Sequence, residues 1–163
     1  MSDPVVVAII GSVATIAAAA IGLLLKRGKQ VTTAASSAKQ YGVRITSPVA
    51  GTAVAGHVEV SGVYAVEPPP GSLFLVNASP DGPYYWPCVG RPIEVLPSRR
   101  AWRGSTLVNS DTRIIILTIG ASGRALFDFY EKVGKETDRW VSISRLTPDV
   151  VEHDQVVVRL KAN

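Results

Sequence analysis

The sequence has few of the residues from which catalytic and metal sites are usually built. It contains a single cysteine, Cys88, so no internal disulfide can form, and only two histidines, His57 and His153. It contains no G-x-S-x-G nucleophile motif, no phosphate-binding Walker loop and no G-x-G-x-x-G motif. A lone cysteine is usually a small, buried, apolar side chain and not a nucleophile. We therefore predict a protein that is not an enzyme, with no catalytic residue, no metal site and no cofactor.

Charged residues are absent from a long apolar stretch near the start of the chain. Residues 4–25 include no Asp, Glu, Lys or Arg. A helix of this length spans roughly 33 Å, and the hydrocarbon core of a bilayer is about 30 Å thick. No basic region precedes the stretch, as one would in a cleaved signal peptide. We therefore predict an uncleaved transmembrane helix over residues 4–25, with the lipid bilayer as a partner.

The charges that flank this stretch predict its orientation. Lys26, Arg27 and Lys29 follow it directly, whereas no basic residue precedes it. Positive charge collects on the cytoplasmic side of membrane helices. We therefore predict a single pass through the inner (cytoplasmic) membrane, with the N-terminus outside and the C-terminal domain in the cytoplasm. Most of the net charge of +4 lies in the first 42 residues, which favours contact with anionic headgroups and not with nucleic acid.

Small residues recur at four-residue spacing within the predicted span. Such spacing places them on one helical face, where it lets two membrane helices approach closely. We predict a helix-association face, and hence a homo-oligomer, formed by Gly11, Ala14, Thr15, Ala18, Ala19 and Gly22. The alternative is an alanine-rich anchor without a partner helix.

The remainder of the chain is predicted to form a juxtamembrane linker (26–42) and one β domain (43–163). Within the domain the apolar residues follow the period of two that is typical of half-buried strands. The predicted strands cover residues 43–47, 57–64, 72–78, 84–88, 102–108, 113–119 and 155–161. Residues 140–146 are predicted to be either a strand or an extended segment. The segment 124–134 has a helical period, with Leu126, Phe129 or Tyr130, and Val133 on its apolar face.

Aromatic and arginine side chains form the strongest candidate for a ligand or partner surface. Aromatic faces stack on rings, and guanidinium groups bind phosphate or carboxylate, so the set suits a nucleotide, a glycan or a protein partner. The alternative is that Trp86 and Trp102 fill the core while the arginines are solvated. The set consists of Tyr84, Tyr85, Trp86, Arg91, Arg99, Arg100, Trp102 and Arg103.

The order of three short motifs resembles bacterial immunoglobulin-like domains, in particular a subset that contains Y-W-P. The motifs are I-T-S-P at 45–48, V-E-V-S-G at 58–62 and Y-W-P at 85–87. The resemblance covers about residues 44–160. It implies an immunoglobulin-like β-sandwich with an adhesive or scaffolding role and no catalytic residues. The helical segment 124–134 departs from a minimal sandwich of this kind.

Three functions remain open at this point. The first is a membrane protein whose cytoplasmic immunoglobulin-like domain mediates protein interaction and oligomerisation, as in an effector of bacterial defence or signalling. The second is an extracytoplasmic module that binds glycan or cell wall. The third is a pilin-like filament subunit with its apolar helix in the filament core.

Overall fold

The computed structural model describes residues 40–161 of the chain. The predicted transmembrane helix (4–25), all but the end of the linker, the predicted helix-association face and Lys26, Arg27 and Lys29 lie outside the described residues. Within residues 40–161, no helix has the length and apolar character needed to cross a bilayer.

The described residues are mainly β, and from residue 42 onward they form nine strands in two sheets and one α-helix. The elements are β1 (Arg44–Ser47), β2 (Ala53–Val54), β3 (Gly56–Val63), β4 (Leu73–Ala78), β5 (Tyr85–Pro87), β6 (Glu94–Leu96), β7 (Ala101–Val108), β8 (Thr112–Ile119), α1 (Ala121–Thr137) and β9 (Val150–Leu160). The first sheet has the order β1-β3-β7-β6 and the second has the order β2-β9-β8-β4-β5. All neighbouring strands are antiparallel except β2 and β9, which are parallel.

The two sheets pack face to face around one apolar core. Val60 on β3 and Trp102 on β7 face Ile114 and Ile116 on β8, and all four are buried. Alternate residues of a strand point to opposite faces, so Ile115 and Leu117 lie on the outer face of the second sheet, together with Val76 on β4. These outer residues are also apolar, which requires a further layer to cover them.

The helix α1 supplies that layer. Its buried residues are Gly123, Phe127, Tyr130 and Gly134, and Phe127 packs with the outer face of the second sheet.

The prediction left Phe129 or Tyr130 open for the apolar face; Tyr130 is buried, whereas Phe129 is 64% exposed. The other two predicted residues, Leu126 and Val133, are half-buried. Phe127 is also buried, although the prediction did not include it. The buried stripe passes through two glycines, whose backbone lies close to neighbouring side chains. Glycine has no hydrophobic side chain, so these two positions do not mark the stripe in the sequence.

Most of the predicted strands are confirmed, and in the second sheet β4 and β8 are central while β5 lies at the edge. Two strands were missed by the sequence prediction, β2 and β6, which have two and three residues. Residues 140–146 do not form a strand, but Ile143 makes an isolated bridge to Tyr85 on the edge strand β5.

The register of the strands defines two ends of the sandwich. At the proximal end, where the described chain begins, Arg44 pairs with Val63 and Val63 pairs with Ala101. At the distal end, Gly56 pairs with Val108, and the chain crosses from β7 to β8 through residues 109–111. The strands β4 and β9 also end at the distal end, because β8 begins there and both run antiparallel to it.

Candidate functional site

A cleft of about 600 Å³ opens at the distal end of the sandwich. Its walls come from the end of β4, the edge strand β5, the end of β7, the β7–β8 loop and the helical layer. Such a concave site, with an apolar lining and a few polar groups, is the usual form of a binding site for small molecules. The residues that carry its chemistry are Asn77, Trp86, Cys88, Arg91, Asn109, Ser110, Asp111, Tyr130 and Trp140.

A chain of hydrogen bonds joins the two sheets at the floor of the cleft. The Thr106 hydroxyl donates to Asn77 Oδ1 at 2.9 Å, and the Asn77 amide donates to the Leu107 carbonyl at 2.8 Å. Thr106 has one hydroxyl hydrogen, so the Cys88 thiol, 3.0 Å away, must be the donor to Thr106 Oγ1. The chain fixes the side chains of Asn77 and Cys88 and so makes the floor of the cleft rigid.

Cys88 is consequently a poor nucleophile. Burial raises the pKa of its thiol above the ordinary value of 9.0, and the hydrogen bond with Thr106 offsets only part of this effect. The thiolate is the reactive form of cysteine. At neutral pH the side chain therefore remains a neutral thiol that donates a hydrogen bond, which suits a structural role in the floor.

Tyr130 and Trp140 form the wall on the helical side. Their rings lie 5.5 Å apart between centroids at an angle of 56°. Burial, together with the nearby Cys88, raises the pKa of Tyr130 to about 12, so the phenol stays protonated at neutral pH. Trp140 is 44% exposed and thus offers an indole surface to the cleft.

Gly134 determines where Trp140 lies. A Cβ atom built on Gly134 would be 2.5 Å from Trp140 Cε3 and Cζ3, which is closer than real Cβ contacts. The helix ends at Thr137, and the next residue, Asp138, adopts a left-handed conformation (φ 53°) and reverses the chain. Because of this reversal, Trp140 returns to pack on the last turns of α1, against the bare backbone at Gly134.

The structure brings together only part of the predicted aromatic and arginine set. Trp86 and Arg91 line the cleft, and Arg91 Nη1 lies 2.7 Å from His57 Nδ1. Tyr84 is exposed on the turn before β5, and Tyr85 lies on the outer face of the second sheet, where its backbone bonds Ile143.

The other four members of the set lie elsewhere. Arg99 and Arg100 are exposed in the short turn between β6 and β7, at the proximal end. Arg103 forms an exposed ion pair with Glu94 at 2.5 Å. Trp102 is 1% exposed and belongs to the core, as the alternative interpretation of the set expected for this residue.

Several cleft residues were not identified from the sequence. Asn77 and the residues of the β7–β8 loop are ordinary polar side chains with no distinctive sequence pattern. Only the fold shows that they lie beside β5. Trp140 was placed in a segment without a clear period. The signal that could have drawn attention to it is a tryptophan that follows closely on a helix with a glycine, Gly134, in its last turn.

The described part of the chain contains no cluster of three or more His, Cys, Asp or Glu side chains able to hold a metal ion. The second histidine, His153, contacts Thr118 and Tyr41. Its Nε2 is 3.0 Å from the Thr118 hydroxyl, and its ring packs edge-on with Tyr41.

Comparison with protein-family models, with curated proteins and with solved structures found no match to the chain. The functional interpretation therefore rests on the geometry of the domain and on the sequence of its N-terminal segment.

Proposed function

We propose that the chain is a non-enzymatic recognition protein in which an immunoglobulin-like β-sandwich is held at the cytoplasmic face of a membrane. The strand order supports the fold assignment. The first sheet, β1-β3-β7-β6, corresponds to strands A, B, E and D of an immunoglobulin domain, and β9-β8-β4-β5 corresponds to G, F, C and C′. The helix α1 would then be an insertion between strands F and G.

The observation that carries the recognition role is the position and chemistry of the cleft. It lies at the distal end of the sandwich, opposite the end at which Arg44 begins β1. Its lining combines indole and amide groups with a thiol that burial keeps protonated. Such groups bind and orient a partner, whereas nucleophilic catalysis needs an activated nucleophile beside a base.

The N-terminal segment supplies the other half of the proposal. Residues 4–25 have the length and apolar character of a span, and their small residues favour association of helices. Clustering of the spans would bring several sandwiches together at the membrane, which is an arrangement suited to an effector in bacterial defence or signalling. Protein partners bound at the domain would then control the assembly.

The oligomeric state of the full chain in mild detergent tests this proposal. Replacing Ala14, Ala18 and Gly22 together with Leu should reduce the oligomer to a monomer in light-scattering measurements. The matched control replaces Ile9, Val13 and Ile16 with Leu, which adds or moves bulk on residues outside the small face and should leave the oligomer intact. An equal oligomer size in all three proteins, or a wild-type protein that is already monomeric, would overturn the association model.

A further inference from the structure

The cleft has features that point to a class of ligand. We propose that it binds neutral saccharide units, with the indoles of Trp86 and Trp140 as stacking surfaces and the β7–β8 loop as the hydrogen-bonding rim. This inference rests on the recognition role proposed above and adds a ligand of the cleft to the protein partners proposed for the domain.

The fold determines the face of the sheet on which Trp86 lies and the packing of Trp140. Trp86 lies on β5 directly opposite Asn77 on β4, so its indole stands on the same face of the sheet as the fixed amide. Trp140 is positioned by the bare backbone at Gly134 and by the ring of Tyr130. A pyranose ring presents a face of C–H groups, which packs well on the flat apolar surface of an indole that is already in position.

The rim offers the polar groups that sugar hydroxyls need. Asn109, Ser110 and Asp111 are exposed on the β7–β8 loop. Asp111 Oδ1 accepts the backbone N–H of Leu160 at 2.8 Å, which holds the carboxylate in place at the rim. A sugar hydroxyl both donates and accepts, so amide, hydroxyl and carboxylate groups at one rim can bond several hydroxyls of one ring.

The charges of the cleft do not suit an anionic ligand. Arg91 is the one cation among the described residues that line it, and His57 already engages its guanidinium group. Asp111 adds a negative charge at the rim. Recognition of phosphate generally uses several donors with net positive charge, which the lining does not supply. The arginines Arg99 and Arg100 lie at the proximal end and cannot contribute.

The edge of the second sheet is closed to a peptide strand at the point where a strand would add. Tyr85 N donates to the Ile143 carbonyl at 2.9 Å, and Ile143 N donates to the Tyr85 carbonyl at 2.8 Å. These bonds occupy the outer edge of β5, which is the position that an added peptide strand would require. A ligand at the cleft must therefore be recognised through side chains, and indoles with a polar rim fit a neutral saccharide.

Titration of the full chain in detergent with malto-, cello- and chitohexaose tests the assignment. Isothermal calorimetry and the change in tryptophan fluorescence are the readouts. We expect saturable binding of at least one hexaose. Neither ATP nor an extended hexapeptide should compete with that sugar.

A pelleting assay with isolated cell-wall polymer distinguishes a wall polysaccharide from a free oligosaccharide as the source of the sugar. Because the domain is proposed to lie in the cytoplasm, we expect the protein to stay in the supernatant, and retention on the polymer would contradict that placement.

The variants identify the site. Trp140→Ala and Gly134→Ala, which displaces Trp140 without removing it, should each weaken binding at least tenfold, while Trp140→Phe should retain most of it. Phe129→Ala is the matched control, since Phe129 is an exposed aromatic residue of the same helix outside the cleft, and it should leave affinity unchanged. Thermal unfolding confirms that each variant is folded.

The assignment would be overturned if no hexaose binds, or if binding persists unchanged in both Trp140→Ala and Gly134→Ala. Tighter binding of ATP or of the peptide than of every sugar would do the same. The oligomer measurement on the full chain is made without sugar, so failure of the saccharide assignment and failure of the association model are seen separately.

Discussion

The carboxylate of Asp149 accepts the backbone N–H of Ser122 at 2.7 Å, across 27 positions of the chain. It also accepts the N–H of Gly123 at 3.0 Å and the Thr147 hydroxyl at 2.7 Å. The residue before the helix, Gly120, has no side chain and cannot cap α1 itself. The loop that follows the helix therefore returns to satisfy the free N–H groups at its start, which the first turn of any helix leaves without partners.

Replacing Asp149 with Ala should destabilise the domain by about 1–2 kcal/mol, because the first turn of α1 loses its acceptor and the helix dipole loses its counter-charge. Chemical denaturation of the full chain in detergent measures the change. Asp128→Ala is the control, since Asp128 is exposed on the same helix and should change stability by less than about 0.5 kcal/mol. Equal effects of the two substitutions would refute the cap.

The same carboxylate predicts a dependence of stability on acid pH. Burial alone would raise its pKa, but hydrogen bonds from the Thr147 hydroxyl and from the Ser122 and Gly123 N–H groups outweigh burial and lower the pKa below 3.8. The unfolded chain therefore takes up this proton at a higher pH than the folded chain does. The contribution of the cap is complete above the ordinary value of 3.8 and is lost as the pH falls through the lower folded value.

Unfolding measured from pH 6 down to pH 2 checks this sign. The difference in stability between the wild type and Asp149→Asn should be constant above about pH 5 and should shrink as the pH falls below 3.8. A difference that grows towards low pH would show that the pKa is raised in the folded state.

The β elements were predictable from the sequence because their apolar residues alternate. The strand β3 shows this with Val58 and Val60 buried and His57 and Glu59 exposed. The short strands β2 and β6 have too few residues to show a period. The face of α1 was predicted only in part, because glycines at two of its buried positions removed the hydrophobic signal that marks a helical stripe.

Gly62 and Trp102 face each other across β3 and β7, which leads to a prediction about the core. A Cβ atom on Gly62 would lie 2.6 Å from Trp102 Cε2 and would also collide with the Arg44 carbonyl. Trp102 is buried and cannot move aside, so Gly62→Ala should destabilise the domain by about 2–3 kcal/mol.

Gly82→Ala provides the matched comparison in denaturant unfolding. Its new Cβ atom would come within 3.2 Å of the ring of Tyr84, which is 49% exposed and free to swing away. We expect a change below about 0.5 kcal/mol at this position. If Gly62→Ala were as mild as Gly82→Ala, the close packing of Trp102 on β3 would be disproved.

Thr106→Val should show the cost of breaking the polar chain beneath the cleft. The substitution keeps the shape of a buried side chain but leaves Asn77 Oδ1 without its donor and the Cys88 thiol without its acceptor. A buried polar group without a partner costs about 1–3 kcal/mol, so the free energy of unfolding should fall by that amount and the unfolding temperature should fall with it. Thr46→Val, at an exposed hydroxyl that bonds the Ser61 carbonyl, should have little effect. If Thr106→Val were as stable as Thr46→Val, the hydrogen bonds that Thr106 makes beneath the cleft would be disproved.

The cleft was less predictable than the fold. The sequence singled out Trp86 and Arg91 as binding residues, and the structure places both in the cleft. It also grouped them with Trp102, which alternation on β7 directs into the core. Trp140 reaches the cleft through the chain reversal at Asp138, and Asn77 through the pairing of β4 with β5. Neither position follows from the apolar periodicity on which the sequence prediction relied.

The orientation of the anchored chain is the central claim of the proposed function. A pair of C-terminal fusion reporters tests it directly, one active only in the cytoplasm and the other active only outside it. The flanking charges Lys26, Arg27 and Lys29 predict that only the cytoplasmic reporter is active. Replacing these three residues with Gln, and adding three lysines before residue 4, should reverse the result. Activity of the external reporter in the wild-type chain would contradict the cytoplasmic assignment.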